Sequence, residues 1–135
     1  MKNAQNIEDI KIGVVGAGSW GTALAQLLAD KGYEVDLWVF EKEVKSQIER
    51  NRENELFLPG TRLSERILPS NDISEVASGK DLLLVVVPSH VMRETSERFA
   101  SEVSEATLVV SASKGIENKT HMTMSQILKE KLPHV

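Results

Sequence analysis

The sequence predicts an α/β domain built on a doubly wound, mainly parallel sheet with helices on both faces. Three observations carry that expectation. Short apolar runs alternate with amphipathic stretches along the chain. One run, Leu82 to Val87, is aliphatic without a break, the pattern of a strand buried on both faces of a parallel sheet. Gly16-Ala17-Gly18-Ser19-Trp20-Gly21 stands between the apolar run Ile12 to Val15 and the helix-forming run Thr22 to Leu28, which reads as strand, tight turn, helix.

Each element follows from its local pattern. A first strand is expected over about Ile10 to Val15. The helix after the glycine turn, about Trp20 to Lys31, carries Ala23, Leu24, Leu27 and Leu28 on one face and stops at Gly32. A second strand covers Glu34 to Phe40, and a charged helix over about Lys42 to Arg52 follows, with Val44 and Ile48 as its sparse inner face. An irregular segment then holds Asn54 and the Pro-Gly turn of Phe57-Leu58-Pro59-Gly60, before a short third strand near Arg66 to Leu68 that ends at Pro69. Asp72 caps a short helix over Ile73 to Ala77, which Gly79 ends. After the strand Leu82 to Val87 come a helix over about Val91 to Val103, a fifth strand, Thr107 to Ser111, and an amphipathic helix over about Thr120 to Leu132. The strand order expected of this alternation is 3-2-1-4-5.

A length of 135 residues fits one domain, residues 10–135, preceded by a polar, loose leader over residues 1–9 that lacks the apolar centre of a signal peptide. The net charge is −4 and the Lys and Arg residues are scattered, so the basic footprint of a nucleic-acid binder is missing. The longest aliphatic run is far short of the roughly 18 residues a membrane span needs. With no cysteine there is neither a disulfide framework nor thiolate chemistry, which suits the cytoplasm, and no metal site is expected.

The glycine turn points to dinucleotide binding. Gly16 allows a sharp reversal, Gly18 lets backbone approach a pyrophosphate, and Gly21 lets the helix pack on the strand, while the helix start offers free amides to phosphate oxygens. An acidic residue, Glu41, follows Gly21 by 20 positions at the end of the second apolar run, where a carboxylate meets ribose hydroxyls. The plain alternative is a glycine-rich turn without a ligand. In an open α/β sheet the ligand lies at the carboxyl ends of the strands, where strand order reverses. Four groups should therefore converge: Ser19 and Trp20; Phe40 and Glu41; Pro88, Ser89 and His90; and Ser111 to Gly115.

Each candidate admits a second reading. Glu41 either binds ribose or starts a helix with a favourable charge. Phe40 either covers an adenine face or belongs to the core. Trp20 either flanks the pyrophosphate or packs beneath the turn, and Phe57 is either a loop anchor or a cofactor contact. His90 reads as a surface or capping residue. Lys114, directly after a strand and before Gly115, is placed to meet an anionic substrate or cofactor, the alternative being an ordinary exposed lysine.

Taken together, Gly16-Ala17-Gly18-Ser19-Trp20-Gly21-Thr22-Ala23-Leu24, Trp38-Val39-Phe40-Glu41, Asn51-x-x-Asn54-x-x-Phe57-Leu58-Pro59-Gly60, Val86-Val87-Pro88-Ser89-His90 and Ser113-Lys114-Gly115-Ile116-Glu117 resemble the N-terminal domain of NAD(P)-dependent glycerol-3-phosphate dehydrogenases, from about Lys11 to the end of the chain. The resemblance implies the NAD(P)-binding Rossmann fold. It implies hydride transfer between a nicotinamide cofactor and the small-molecule pair dihydroxyacetone phosphate and sn-glycerol 3-phosphate, feeding phospholipid synthesis in the cytoplasm. It places Ser19, Trp20, Phe40, Glu41 and Phe57 against the cofactor, and Lys114 against both cofactor and substrate. It also implies a longer enzyme, a homodimer in one reading, whose helical C-terminal domain holds the general acid, so that no catalytic acid is expected in this chain and the chain alone is expected to be inactive. Glu41 favours NAD, and NADP stays open because Lys42 and Lys45 lie nearby. Three other readings of the residues remain: the cofactor domain of a 3-hydroxy-acid or sugar-acid dehydrogenase, a non-catalytic NAD-sensing module, and, least favoured by the regular three-glycine spacing, an S-adenosylmethionine-dependent transferase.

Overall fold

In the computed structural model, which describes residues 6–135, five strands form one parallel sheet. They are β1 (Ile12–Val15), β2 (Val35–Trp38), β3 (Ile67–Ser70), β4 (Leu82–Val85) and β5 (Leu108–Ser111), in the spatial order β3-β2-β1-β4-β5. The register runs Val15 beside Trp38 and Val85, with Ser111 beyond, so that these strands end together at one edge. That is the order expected from the sequence, and the reversal between β1 and β4 opens a crevice at this edge.

Helices α1 (Ser19–Asp30) and α2 (Lys42–Asn51) cover one face; α3 (Ile73–Ala77), α4 (Met92–Phe99) and α5 (Met124–Lys131) cover the other. Two-residue alternation divides the strands between two cores. Ile12, Val14, Val35 and Leu37 meet Ala25 and Ala29 of α1 and Val44 and Ile48 of α2. Val15, Trp38, Leu83 and Val85 meet Val76, Met92, Phe99 and Ile127 on the other side. Beneath β2, Lys80 pairs with Asp36 at 2.6 Å. No helix among the described residues is long and apolar enough to cross a membrane.

Several boundaries differ from the sequence expectation for identifiable reasons. Residues 1–5 of the expected leader lie outside the described residues, and Ile7–Asp9 form a 3-10 turn. Pro69 lies inside β3 instead of ending it. The carbonyls of Arg66 and Ser70 accept from the amides of Val35 and Val39, so alternate positions face β2 and the nitrogen of Pro69 faces the open edge, where no donor is needed. The expected helix from Val91 to Val103 is three pieces: α4 flanked by 3-10 turns at Ser89–Val91 and Ala100–Glu102. The last helix begins at Met124, later than Thr120, because Thr123 and Gln126 form a reciprocal capping box.

Gly13, in the middle of β1, has a role that periodicity did not reveal. A Cβ on it would lie 2.3 Å from the carbonyl oxygen of Val76 and 2.9 Å from Leu83, so its missing side chain lets α3 sit directly on the sheet. Gly13→Ala is expected to lower stability by about 1 to 3 kcal/mol, the usual cost of overpacking a rigid contact. Urea unfolding followed by circular dichroism checks this; an unchanged midpoint would show that α3 yields freely.

Candidate functional site

The glycine turn places three glycines in three different environments. Gly16 leaves β1 with φ +120°, a conformation that favours glycine, and a Cβ there would lie 2.1 Å from the Val86 carbonyl oxygen. A Cβ on Gly21 would lie 2.0 Å from the carbonyl oxygen of Gly16, so strand end and helix start touch backbone to backbone. A Cβ on Gly18 would meet nothing within 4 Å. Gly18 is also the N-cap of α1 and brings no side-chain cap, which leaves the first-turn amides directed at the same opening with the positive end of a 12-residue helix behind them.

That opening is a cleft of about 350 Å³, whose lining includes Gly16, Gly18, Phe40, Glu41, Phe57 and Pro88. The end of β1, the end of β2 and the segment after β4 thus meet in one crevice. Phe40 is 70% exposed and stands edge-on to the buried Trp38, their ring centroids 6.0 Å apart at 72°. Glu41 occupies the N-cap position of α2, yet its side chain makes no cap hydrogen bond, so its carboxylate is free to face the cleft.

Phe57 reaches the cleft through Asn54. This asparagine is fully buried; its Nδ2 donates to the Ala17 carbonyl and to Thr22 Oγ1, both at 2.9 Å, and its Oδ1 accepts from the Phe57 amide at 3.1 Å. One side chain therefore ties the irregular segment to the glycine turn, and each of its bonds satisfies a buried polar group. Asn54 belongs to the patterned segment in the sequence, but nothing local discloses a bond to residues more than thirty positions earlier.

Ser19, Trp20, Gly21 and Lys114 lie outside the cleft lining. Trp20 is 59% exposed on the first turn of α1, and Ser19 beside it is exposed. Lys114 is exposed after β5, without an ion pair among the described residues. Its segment is nonetheless anchored to the same edge: the Val87 amide donates to Ser113 Oγ at 2.9 Å, and Gly115 (φ +118°) passes so close to Ser89 that a Cβ would lie 3.1 Å from it. His90 is exposed in the 3-10 turn after Pro88. Val91, Glu94, Thr95 and Arg98, from α4 and the turn before it, complete the wall and were not singled out in the sequence; an ordinary amphipathic helix gives no sign of which turn borders a cleft. Among the described residues no three His, Cys, Asp or Glu side chains gather as a metal-ligating group.

A second feature absent from the sequence reading fixes the Lys114 segment. Arg93 donates to both carboxylate oxygens of Glu117, from Nε at 2.9 Å to Oε2 and from Nη2 at 2.9 Å to Oε1, and from Nη1 to Glu130 at 2.6 Å. The chain closes on itself here, with the Glu117 amide bonded to the Met122 carbonyl at 2.9 Å and Ile116 bridging Thr123. The Arg93 hydrogen bonds, and next that from Thr120, hold the Glu117 carboxyl well below the usual carboxylate range, at about 2, while the same pairing raises the Arg93 guanidinium further.

Comparison with known proteins bears on the same residues. Residues 11–135 match the family model described as NAD-dependent glycerol-3-phosphate dehydrogenase N-terminus. A glycerol-3-phosphate dehydrogenase (NAD(P)+) of Syntrophobacter fumaroxidans is 55% identical over 122 residues, 90% of this chain and 36% of that protein. One from Syntrophotalea carbinolica is 45% identical over 92% of this chain and 37% of that protein. The crystal structure of glycerol-3-phosphate dehydrogenase from Coxiella burnetii superposes with a TM-score of 0.86 at 28% identity, covering 94% of this chain and 38% of that one. The chain spans just over a third of the length of these relatives.

Because the folded pKa of Glu117 is depressed, its pairing contributes stability above the ordinary carboxylate value and loses it as the pH falls toward about 2. Glu117→Gln is expected to melt below the parent at pH 6 to 7, with the gap closing as the pH is lowered from about 4.5 toward 2. Thermal melts across that range check it; a gap that does not change with pH would assign the Glu117 contribution to packing.

Proposed function

This chain belongs to the NAD-dependent glycerol-3-phosphate dehydrogenase family, as its N-terminal domain, and on that premise we propose that it is the cofactor-binding part of an oxidoreductase interconverting dihydroxyacetone phosphate and sn-glycerol 3-phosphate in the cytoplasm. The observation that carries the reading is the contrast within the glycine turn: Gly16 and Gly21 are filled by protein backbone, and Gly18 faces an open cleft at the head of α1. A pyrophosphate fits that cradle, since it needs unobstructed backbone and free amides together.

From that anchor the chain's own residues divide the cofactor. The amides of Ser19, Trp20 and Gly21 take phosphate oxygens, with the exposed Trp20 ring flanking them. Glu41 accepts hydrogen bonds from the adenosine ribose hydroxyls, and its charge opposes a 2′-phosphate, so NAD is preferred to NADP. Phe40 borders the adenine, and Phe57, held by Asn54, closes the cleft from the α2 side. Bound there, the nicotinamide supplies the hydride for the substrate carbonyl carbon. Lys114 stabilises the charge developing on the substrate oxygen or holds its phosphate, in a segment braced by Arg93 and Glu117. The proton that accompanies the hydride comes, on this reading, from the part of the relatives' length that this chain does not span.

Titration calorimetry of the 135-residue chain tests the cradle: NADH binds, NADPH binds more weakly, and Gly18→Val removes binding of both while circular dichroism and the melting temperature stay near the parent's. Undiminished NADH binding by Gly18→Val would reduce the turn to a structural feature.

The substrate role is tested by joining this chain to the C-terminal two thirds of the Syntrophobacter fumaroxidans relative. In that enzyme Lys114→Ala is expected to lower kcat/KM for dihydroxyacetone phosphate by a factor of roughly 30 to 1000, the usual loss of about 2 to 4 kcal/mol for an oriented charged contact, with little change in NADH affinity. Equal kcat/KM for the variant and its parent would return Lys114 to an ordinary surface lysine.

A further inference from the structure

The cleft has a second end that the glycine turn does not explain. Among its lining residues Arg98 is the single cation, and it has no carboxylate within 4 Å among the described residues. Its neighbours on α4 and α5 behave differently: Arg93 pairs with Glu117 and Glu130, and Lys131 pairs with Glu97. Glu94, one helical turn before Arg98, is spaced to pair with it, yet the guanidinium lies over the Trp38 indole, its Cζ 5.2 Å from the ring centroid. The indole is a fixed platform: Trp38 is 4% exposed, its Nε1 donates to the Asn71 carbonyl at 3.1 Å, and Asn71 Nδ2 donates to the Val39 carbonyl at 2.6 Å. Phe40 stands nearly perpendicular to the indole with most of its surface free.

On the reading that the cleft holds a dinucleotide, we propose that Arg98 is a base-stacking residue: one face of its guanidinium rests on Trp38 and the other carries the adenine ring, with Phe40 as the side wall. The planar guanidinium stacks on aromatic faces, and a cation is attracted to the electron-rich face of a purine as it is to the indole. A phosphate is the poorer occupant of this end. An anion is held by a fork of donors together with backbone amides, whereas Arg98 shares this cleft with Trp38, Phe40, Val91 and the carboxylates of Glu41 and Glu94, and the adjoining opening that it also lines holds the carboxylate of Asp72. The contact therefore recognises the base that NAD and NADP share and does not discriminate between them.

The test titrates NADH, NADPH and AMP into the parent chain, Arg98→Ala and Arg98→Lys, with the melting temperature of each. Arg98→Ala is expected to weaken all three ligands by the same factor, about 5- to 30-fold, which is what a contact of about 1 to 2 kcal/mol converts to. Arg98→Lys is expected to recover part of the loss, since it keeps the charge and loses the plane. A loss confined to NADPH overturns the proposal in favour of a 2′-phosphate contact, and unchanged AMP affinity overturns it outright. If AMP binds with the expected dependence on Arg98 while NADH does not bind, the adenine seat stands and the dinucleotide reading falls. If the parent binds none of the three, both fall.

Discussion

The backbone contact between Gly16 and Gly21 is the constraint on which the rest of the site depends. With Gly21 packed against the Gly16 carbonyl, α1 leaves the sheet with no room for a side chain at either position, and its first turn points over the edge where β1, β2 and β4 end. Tilting α1 away to admit a Cβ would move its free amides off the crevice and separate Thr22 from Asn54, whose hydrogen bonds need the helix and the turn at their observed spacing. The same close approach leaves Gly18 facing outward, so one packing requirement creates both the rigidity of the turn and its open side.

Around this anchor the site is assembled by single polar side chains that tie distant segments to the sheet edge. Asn54 brings Phe57 to the turn, Asn71 fixes Trp38 and so the platform under Arg98, and Ser113 ties the strand β5 exit to Val87. Each of these ties has a backbone group on at least one side, the Ala17 carbonyl and Phe57 amide for Asn54, the Asn71 and Val39 carbonyls for Trp38 and Asn71, and the Val87 amide for Ser113. The Arg93 fork differs: it joins side chains of α4, α5 and the loop between β5 and α5, and its partly exposed pairs are open to screening by salt. The cleft end of the molecule therefore combines a rigid turn, buried and part-buried polar ties, and a Lys114 segment held in part by partly exposed ion pairs.

Much of this was legible in the chain itself. The strand order followed from the alternation of apolar runs with helices, because a parallel sheet with right-handed crossovers admits few other arrangements. The capped helix Ile73–Ala77 matched its expected bounds, since Asp72 and Gly79 act within a few residues of the backbone they cap. Expectations were weaker where the deciding partner is remote. Pro69 ended a strand by local rule, and only the position of β3 at the sheet edge made it harmless. The helix expected from Thr120 waited for Thr123, whose side chain and that of Gln126 satisfy each other's backbone amides.

The fold, the glycine turn and the acidic residue between β2 and α2 were legible in the chain alone, because each is written in contiguous residues whose chemistry is local: a chain reversal that needs glycine, an apolar period, a charge just past a strand. Which residues share the cleft is set by the packing of distant segments. That packing left Ser19, Trp20 and Lys114 outside the lining, brought in Arg98 from α4, and assigned structural work to Asn54, Arg93 and Glu117. Those outcomes rest on distances between segments far apart in the chain, fixed by the seating of α1 on its glycines and of α3 over Gly13, and no local pattern of residue types encodes such distances.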